Sequence, residues 1–413
     1  MKDGLVKIAA ASPLIRVADV QYNTERIISC INDADALGVK VLVFPELSIT
    51  GCTCRDLFRH EVLLKGAEEA LCRIIEATVG IDMLVFVGLP FACGAELYSC
   101  AAAVSSGYLL GLVPRKTVSG SLFSVPDETP RTVEVGGIYS AVFSPNILFR
   151  HEKLGSLSVA AELGDDITSP LSPAWQHALA GATVIARMAS FPETLSSTEE
   201  SLRCLQADSK RLSCSILLAA PGRGESSTDN VYSGLCAIAE NGAILDLDEN
   251  DLQIAVSEAD VAFLQHLRRQ RGAFSSPFKQ YYTALWGSDL SETEITRSYS
   301  RHPHLPDDEA DLPAYCDRMI GMQVAGLVRR MEYAHLDHCV IGISGGVDST
   351  LAVMISALAV RQLGLPSENV IAVTMPCFGT SSRTKNNAVV VAEQWGCEVR
   401  TINISKSVNQ HFD

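Results

Sequence analysis

Runs of like charge, long apolar segments and paired metal-ligand spacings are all missing from this 413-residue chain. The formal charge is −15 and no basic cluster interrupts it, which removes the electrostatic footprint of a nucleic-acid-binding or membrane-surface protein. No stretch reaches the roughly 18 apolar residues that a membrane-crossing helix requires. Met1-Lys2-Asp3-Gly4 runs into a strand-like segment with no secretory apolar core, and the thirteen cysteines are odd in number and scattered from Cys30 to Cys397. A reducing cytoplasm is the expected compartment. Cys52 and Cys54 stand two apart, but no second Cys/His pair completes a zinc spacing, so they read as ordinary thiols. No internal repeat is present. What remains is a small-molecule enzyme: 47% hydrophobic and 20% charged residues suffice to bury sizeable cores, and the length calls for two or three domains.

Apolar, strand-like runs recur at Val6–Ala10, Val39–Phe44, Met83–Leu89, Ala141–Phe143, Leu157–Ala161, Thr183–Ala186 and Ser215–Ala219. Helical patterns lie between several of them, at Asn23–Leu37, Leu63–Thr78 and Thr198–Leu212. This alternation predicts an α/β fold. A polar stretch from Ser291 to Asp311, with Arg301-His302-Pro303-His304, reads as a linker, and an amphipathic run from Pro313 to about His335 follows it. The expected organisation is therefore a first domain over 1–290, a linker over 291–312 and a second domain over 313–413.

In the second domain the apolar run Cys339-Val340-Ile341-Gly342-Ile343 leads into Ser344-Gly345-Gly346-Val347-Asp348-Ser349-Thr350 and then into Leu351-Ala352-Val353-Met354-Ile355. A strand, a Gly/Ser-rich loop and a helix in that order make a phosphate cradle. Glycines let backbone N–H groups approach an anion, and the helix presents its positive end. Ser344 and Ser349 can bond phosphate oxygens, and Asp348 can hold a Mg²⁺ that neutralises a leaving pyrophosphate. The spacing is not that of the common phosphate loop, because no Lys follows. The segment resembles the SGGxDS loop of the ATP-pyrophosphatase family, whose members split ATP between its α and β phosphates. That resemblance implies an ATP site over Gly342, Ile343, Ser344, Gly345, Gly346, Val347, Asp348 and Ser349, with Mg²⁺ on Asp348.

The first domain carries Phe44-Pro45-Glu46-Leu47-Ser48-Ile49-Thr50-Gly51 directly after an apolar strand. It resembles the nitrilase family motif in which this Glu is the general base for a Cys nucleophile and a Lys stabilises the tetrahedral intermediate. Ala178–Val184, Gly222–Asp229 and Ala239-Glu240-Asn241-Gly242 extend the match. A nitrilase-like half followed by an SGGxDS loop is similar to the family of glutamine-dependent NAD⁺ synthetases. Thr374-Met375-Pro376-Cys377-Phe378-Gly379-Thr380, with Arg383, resembles the same family's stretch near the nucleotide. The implied fold is a nitrilase-like αββα sandwich followed by the N-terminal part of a Rossmann-like ATP-pyrophosphatase domain. The implied reaction is amidation of deamido-NAD to NAD, with ATP giving AMP and pyrophosphate. Nitrogen comes from glutamine in that family; free ammonia is the expected source here, because the position of the family's nucleophile is Gly164. A homo-oligomer is implied, with neither nucleic acid nor membrane as partner.

The departures from the pattern are equally specific. Counting back from Ala178-Leu179-Ala180-Gly181-Ala182 places the nucleophile position at Gly164, and no cysteine occurs between Cys100 and Cys204. A covalent amide hydrolysis without a thiolate has no nucleophile. In Val113-Pro114-Arg115-Lys116 the expected Lys is displaced by one, so either Arg115 or Lys116 takes its place. The stretch that helps hold glutamine reads Arg187-Met188-Ala189-Ser190-Phe191, and Phe191 would intrude on that pocket. Glu46 and Lys116 are thus expected as remnants of a glutaminase site. Only 64 residues follow Ser349, where a nucleotide-binding α/β domain needs on the order of 150, so an incomplete second domain is expected. Two other readings stay open: a nitrilase-like amidase, which Gly164 opposes, and a non-catalytic scaffold fragment.

Overall fold

The computed structural model describes residues 1–120, 122–248, 254–274, 281–287, 289–375 and 382–412, without the side chains of 382–386 and 388. It divides into two compact units, Met1–Arg297 and Ser298–Asp413.

The strands of the first unit are β1 (Leu5–Ala11), β2 (Val41–Val43), β3 (Leu84–Cys93), β4 (Glu96–Ser105), β5 (Tyr108–Pro114), β6 (Arg131–Val135), β7 (Tyr139–Phe143), β8 (Ile147–His151), β9 (Ser158–Leu163), β10 (Val184–Met188), β11 (Ser215–Ala219), β12 (Cys236–Glu240), β13 (Ala243–Asp248), β14 (Ile254–Asp260) and β15 (Tyr282–Trp286). One sheet runs β14-β1-β2-β3-β4-β5-β7-β6 and the other β13-β12-β11-β10-β9-β8-β15. The central strands β1, β2 and β3 are parallel, as are β9, β10 and β11. Their sequences explain the arrangement. Val6, Ile8 and Ala10 of β1 enter the core between the sheets, while Ala9 and Ala11 meet the helices outside. Val41 and Val43 against Leu42, and Leu84 and Phe86 against Val85 and Val87, repeat that division. Strands buried on both faces need continuous apolar runs, which is why these were readable.

The helices of this unit are α1 (Val20–Ala36), α2 (Glu61–Ala77), α3 (Asp165–Thr168), α4 (Ala174–Ala180), α5 (Ser197–Leu212) and α6 (Val261–Arg271). Ile27, Ile31 and Ala34 of α1, with Ala67, Leu71 and Ile74 of α2, pack on the outer face of the first sheet. Ala174 and Ala178 of α4, with Leu205 and Leu212 of α5, cover the second. The result is the αββα sandwich. The stretch from residue 291, read as linker, is fastened over its first turn of chain. The Met1 ammonium donates to Ser291 O at 2.7 Å and Thr293 Oγ at 2.5 Å, and Arg297 Nη1 reaches Glu240 Oε1 at 2.6 Å.

The second unit contains α7 (Leu312–Ala334), β16 (Cys339–Gly342), α8 (Val347–Gln362), β17 (Val370–Thr374), α9 (Ser382–Gln394), β18 (Glu398–Thr401) and α10 (Ser405–Phe412). Its sheet is parallel in the order β16-β17-β18. Val353, Ala357 and Val360 of α8 pack on Val370 and Ala372 of β17 and on Met331 of α7. Among the described residues, no helix is long and apolar enough to cross a membrane.

Candidate functional site

Glu46 follows β2 in a turn that only a close-packed backbone allows. Leu47 holds φ +57°, and a Cβ on Gly88 of β3 would strike Leu47 N, with Pro45 O 2.6 Å away. Glycine at 88 therefore lets the Pro45–Leu47 turn lie directly on β3. Ser48 Oγ accepts from Gly88 N at 3.2 Å and fixes that contact. Behind the turn, Glu225 accepts from Cys52 N at 2.6 Å, Thr53 N at 3.2 Å and Thr53 Oγ at 2.7 Å. The two sheets meet at the end of β10: Glu46 N donates to Ala189 O at 3.1 Å and Gly164 N to Met188 O at 2.9 Å. Glu46 and Gly164 are thereby brought together, as the counting predicts.

Around Glu46 the side chains close. It is 1% exposed, and its Oε1 accepts from Ser99 Oγ at 2.5 Å and lies 3.2 Å from Arg115 Nη1. Arg115 also stands 3.7 Å from Asp165 Oδ2. Glu46 Oε2 and Arg115 Nε are buried without a hydrogen-bond partner. Burial pushes the Glu46 carboxyl above its usual range, with Arg115 and the Ser190 and Ser99 hydroxyls pulling the other way.

Of Arg115 and Lys116, the two residues that could take the place of the family's Lys, Arg115 is the one whose side chain faces Glu46. Successive residues leaving a strand point to opposite sides. Arg115, whose N–H donates to Ser99 O at 2.9 Å, points at Glu46. Lys116 points away, its ammonium 3.0 Å from Gln176 Oε1 and 3.3 Å from Glu128 Oε1. Asp166 caps this segment, accepting from Lys116 N at 3.0 Å and Thr117 N at 2.6 Å.

Gly164 caps α3 with φ +44° and ψ −115°. A Cβ placed there would collide with Glu46 Oε2 and lie 2.8 Å from Arg115 Nη1. The space in which a nucleophile's side chain would start is therefore filled by an ion pair. Glu46, Arg115 and Gly164 lie together with no thiol or hydroxyl on position 164.

In the second unit the loop is built as expected. Gly345 takes φ +79°, Gly346 caps α8, and Asp348 sits exposed in the helix's first turn. Ser344 and Ser349 hold the loop's shape: their hydroxyls are 3.2 Å apart, Ser344 Oγ accepts from Gly346 N at 3.3 Å, and Ser349 Oγ donates to Gly346 O at 3.0 Å. Ile343 N donates to Val373 O at 2.8 Å, so the loop lies at the carboxyl edge of β17. Thr374, 3% exposed, ends that strand. This is the edge at which open α/β sheets bind ligands. Gly342, Ile343 and Val347 flank the loop; Ile343 is buried and Val347 is 85% exposed. The side chain of Arg383 and residues Pro376–Thr380 lie outside the described residues.

A carbon-nitrogen hydrolase family model matches residues 7–269, and an NAD synthase model matches residues 319–413. The chain belongs to the carbon-nitrogen hydrolase family. It is 28% identical over 421 aligned residues to the glutamine-dependent NAD(+) synthetase of Mycobacterium leprae, covering 97% of this chain and 62% of that protein. It thus spans less than two thirds of the length of that curated relative. Among solved structures, the glutamine-dependent NAD(+) synthetase of Cytophaga hutchinsonii superposes with a TM-score of 0.53 at 18% identity, covering 98% of this chain and 66% of that one. A mutant amidase from Nesterenkonia sp. AN1, with the acetamide moiety of fluoroacetamide added at its active site cysteine, superposes with a TM-score of 0.51 at 16% identity. The match covers 66% of this chain and 98% of the amidase. These likenesses bear out the nitrilase-like sandwich and the two-family organisation.

Ser99, Asp166 and Glu225 did not stand out in the sequence. Each acts through a partner distant along the chain, and none sits in a motif that names it. Gly222–Asp229 resembled the family, but nothing in that stretch tells that Glu225 secures the turn at 51–54.

Proposed function

We propose that this chain is the glutaminase-derived half and the front of the synthetase half of an NAD-forming ligase that takes its nitrogen as free ammonia. The observation that carries the reading is Gly164: the nucleophile's place is a glycine, and the Glu46 carboxylate paired with Arg115 fills it. The NAD synthase match over 319–413 and the loop at Ser344–Ser349 support the ligase assignment.

In this reading the backbone N–H groups of Gly345 and Gly346 and the hydroxyls of Ser344 and Ser349 bind the phosphates of ATP at the start of α8. The deamido-NAD carboxylate attacks the α-phosphorus, pyrophosphate leaves, and ammonia displaces AMP from the acyl adenylate. The exposed Asp348 fits a divalent cation, and Mg²⁺ held there would offset the charge of the leaving pyrophosphate. Asp348 orients the phosphates from the first turn. Thr374 lies beside the nucleotide in this reading, Arg383 is assigned there by the family resemblance alone, and the cytoplasm is the compartment.

The test compares nitrogen sources in the full-length protein. NAD formation with ammonium, together with no glutamate release from glutamine above a Glu46→Ala control, is the expected result. Glutamate release above that control would overturn the ammonia reading. Failure to form NAD from either source would favour a non-catalytic scaffold.

A further inference from the structure

From Ser291 to Arg297 the chain forms neither strand nor helix, and its one large apolar side chain, Ile295, is 51% exposed. Polar contacts hold it. Thr293 Oγ1 donates to Leu5 O of β1 at 2.7 Å and Thr296 Oγ1 to Glu258 Oε1 of β14 at 2.9 Å. Arg297 N donates to Glu258 Oε2 at 2.9 Å, and Arg297 Nη1 to Glu240 Oε1 of β12 at 2.6 Å and to Glu258 O at 3.1 Å. Strands β1 and β14 belong to one sheet and β12 to the other, so the segment bridges the two sheets.

What lies beneath it is polar as well. Glu240 is 1% exposed and Glu258 is fully buried. Glu240 Oε2 accepts from Ser215 Oγ at 2.6 Å and Asp260 N at 2.9 Å, and Lys7 Nζ stands 3.9 Å from Glu258 Oε1. With the segment in place this seam holds two carboxylates and two cations, Lys7 and Arg297. With it lifted, Lys7 alone remains for both carboxylates. That balance keeps the segment down, because a buried carboxylate without its partner is costly. The same seam makes lifting a local event. Water that enters reaches carboxylates, and residues 291–297 contribute nothing to the apolar clusters of the sandwich, so opening exchanges protein hydrogen bonds for bonds to water at little hydrophobic cost.

We propose that Ser291–Arg297 is a detachable strap: closed, it ties the two sheets together through Arg297; open, it leaves the sandwich folded and frees the root of the tether to the second unit. The first unit ends at Arg297, the second begins at Ser298, and the next helical turn is Glu309–Asp311. Closure therefore confines the free tether to residues 298–308, and opening lengthens it by the seven residues 291–297. A longer flexible tether samples more space and lowers the effective concentration of what it carries. The inference is independent of the ligase reading.

Trypsin acting on the whole chain reads the strap, because cleavage after Arg297 requires its side chain, 16% exposed, to leave Glu240 for the protease. Fragment masses identify each cut. Arg301, on the exposed tether, is expected to be cut first and Arg297 about tenfold or more slowly, the value of one hydrogen bond to a charged group, with Lys7 of β1 uncut while the sandwich stays folded. Glu240→Gln is expected to speed cleavage after Arg297 by about tenfold and to leave the cut after Arg301 unchanged. Thr293→Val, at a contact outside the carboxylate seam, is expected to speed it severalfold, and it keeps the test decisive if the first variant unfolds. Cleavage after Arg297 as fast as after Arg301 would show that no strap is closed. Cleavage after Arg297 only together with Lys7 would show that it does not open by itself, and an unchanged rate in both variants would show that these bonds do not close it. Each of the three would overturn the proposal.

Discussion

Glu46 Oε2 occupies the position that a side chain on Gly164 would have to enter. A side chain at position 164 therefore cannot be added without displacing that carboxylate. Gly164 has φ +44° and ψ −115°, a conformation that costs a residue with a Cβ about 1–3 kcal/mol, and the collision with Glu46 adds to it. Gly164→Ala and Gly164→Cys should both lose stability in urea unfolding, and Gly164→Cys should release no glutamate from glutamine. Hydrolysis by the cysteine variant would mean that the pair opens readily.

The Arg115–Glu46 pair lies in a dry site, with side chains 9% and 0% exposed. Removing one member of such a pair strands the other charge, at a cost of about 3–5 kcal/mol, whereas removing both together costs far less. Arg115→Met should thus be severely destabilising, and Arg115→Met combined with Glu46→Gln should regain most of the loss. A double-mutant cycle by chemical denaturation measures the coupling. Additive losses would show that Ser99, not Arg115, carries the Glu46 charge.

Legibility followed the physics of each segment. The parallel strands β1 to β3 and β9 to β11 are buried on both faces and announce themselves as apolar runs. β4 escaped notice because its centre, Cys100-Ala101-Ala102-Ala103, lacks the β-branched residues that mark a strand; its pairing with β3 defines it. Glu46 and the loop at Ser344–Ser349 were readable because each is a contiguous motif beside a strand. Arg115 against Lys116 was not, because the answer depends on which way the chain faces as it leaves β5. The filled space at Gly164 is a tertiary fact: a glycine in the sequence does not tell what its missing Cβ would meet.

The nucleotide loop makes a separate claim on glycine. Gly345 has φ +79°, and the Ser344–Ser349 hydroxyl contact depends on that turn. Gly345→Ala should cost about 1–2 kcal/mol and weaken ATP binding together with the loop's shape. Asp348→Ala touches no packed group, since Asp348 is exposed, and should leave folding unchanged while removing Mg²⁺-dependent ATP binding in the full-length protein. Equilibrium titration with and without Mg²⁺ distinguishes the two variants. ATP binding by Asp348→Ala with unaltered Mg²⁺ dependence would remove Asp348 from the metal site.

Two buried groups in the first unit should give acid dependences of opposite sign. Burial raises the Asp166 carboxyl to about 6 from an ordinary 3.8, against the pull of the Lys116 and Thr117 N–H groups. A raised folded-state value means that its contribution is complete below pH 3.8 and is lost as pH rises through about 6. Burial lowers His177 to about 3 from 6.5, aided by Lys116, while its Nδ1 lies 2.8 Å from Tyr281 OH. A depressed value means that its contribution is complete above pH 6.5 and is lost as pH falls toward 3. Each effect is on the order of 3 kcal/mol across the accessible window. Relative to the parent chain, Asp166→Asn should therefore gain stability as pH rises from 4 to about 6.5, and His177→Leu should gain it as pH falls over the same interval. Urea midpoints at several pH values decide the matter: parallel slopes for the two variants would show that neither carboxyl nor imidazole titrates in the folded state as its burial demands.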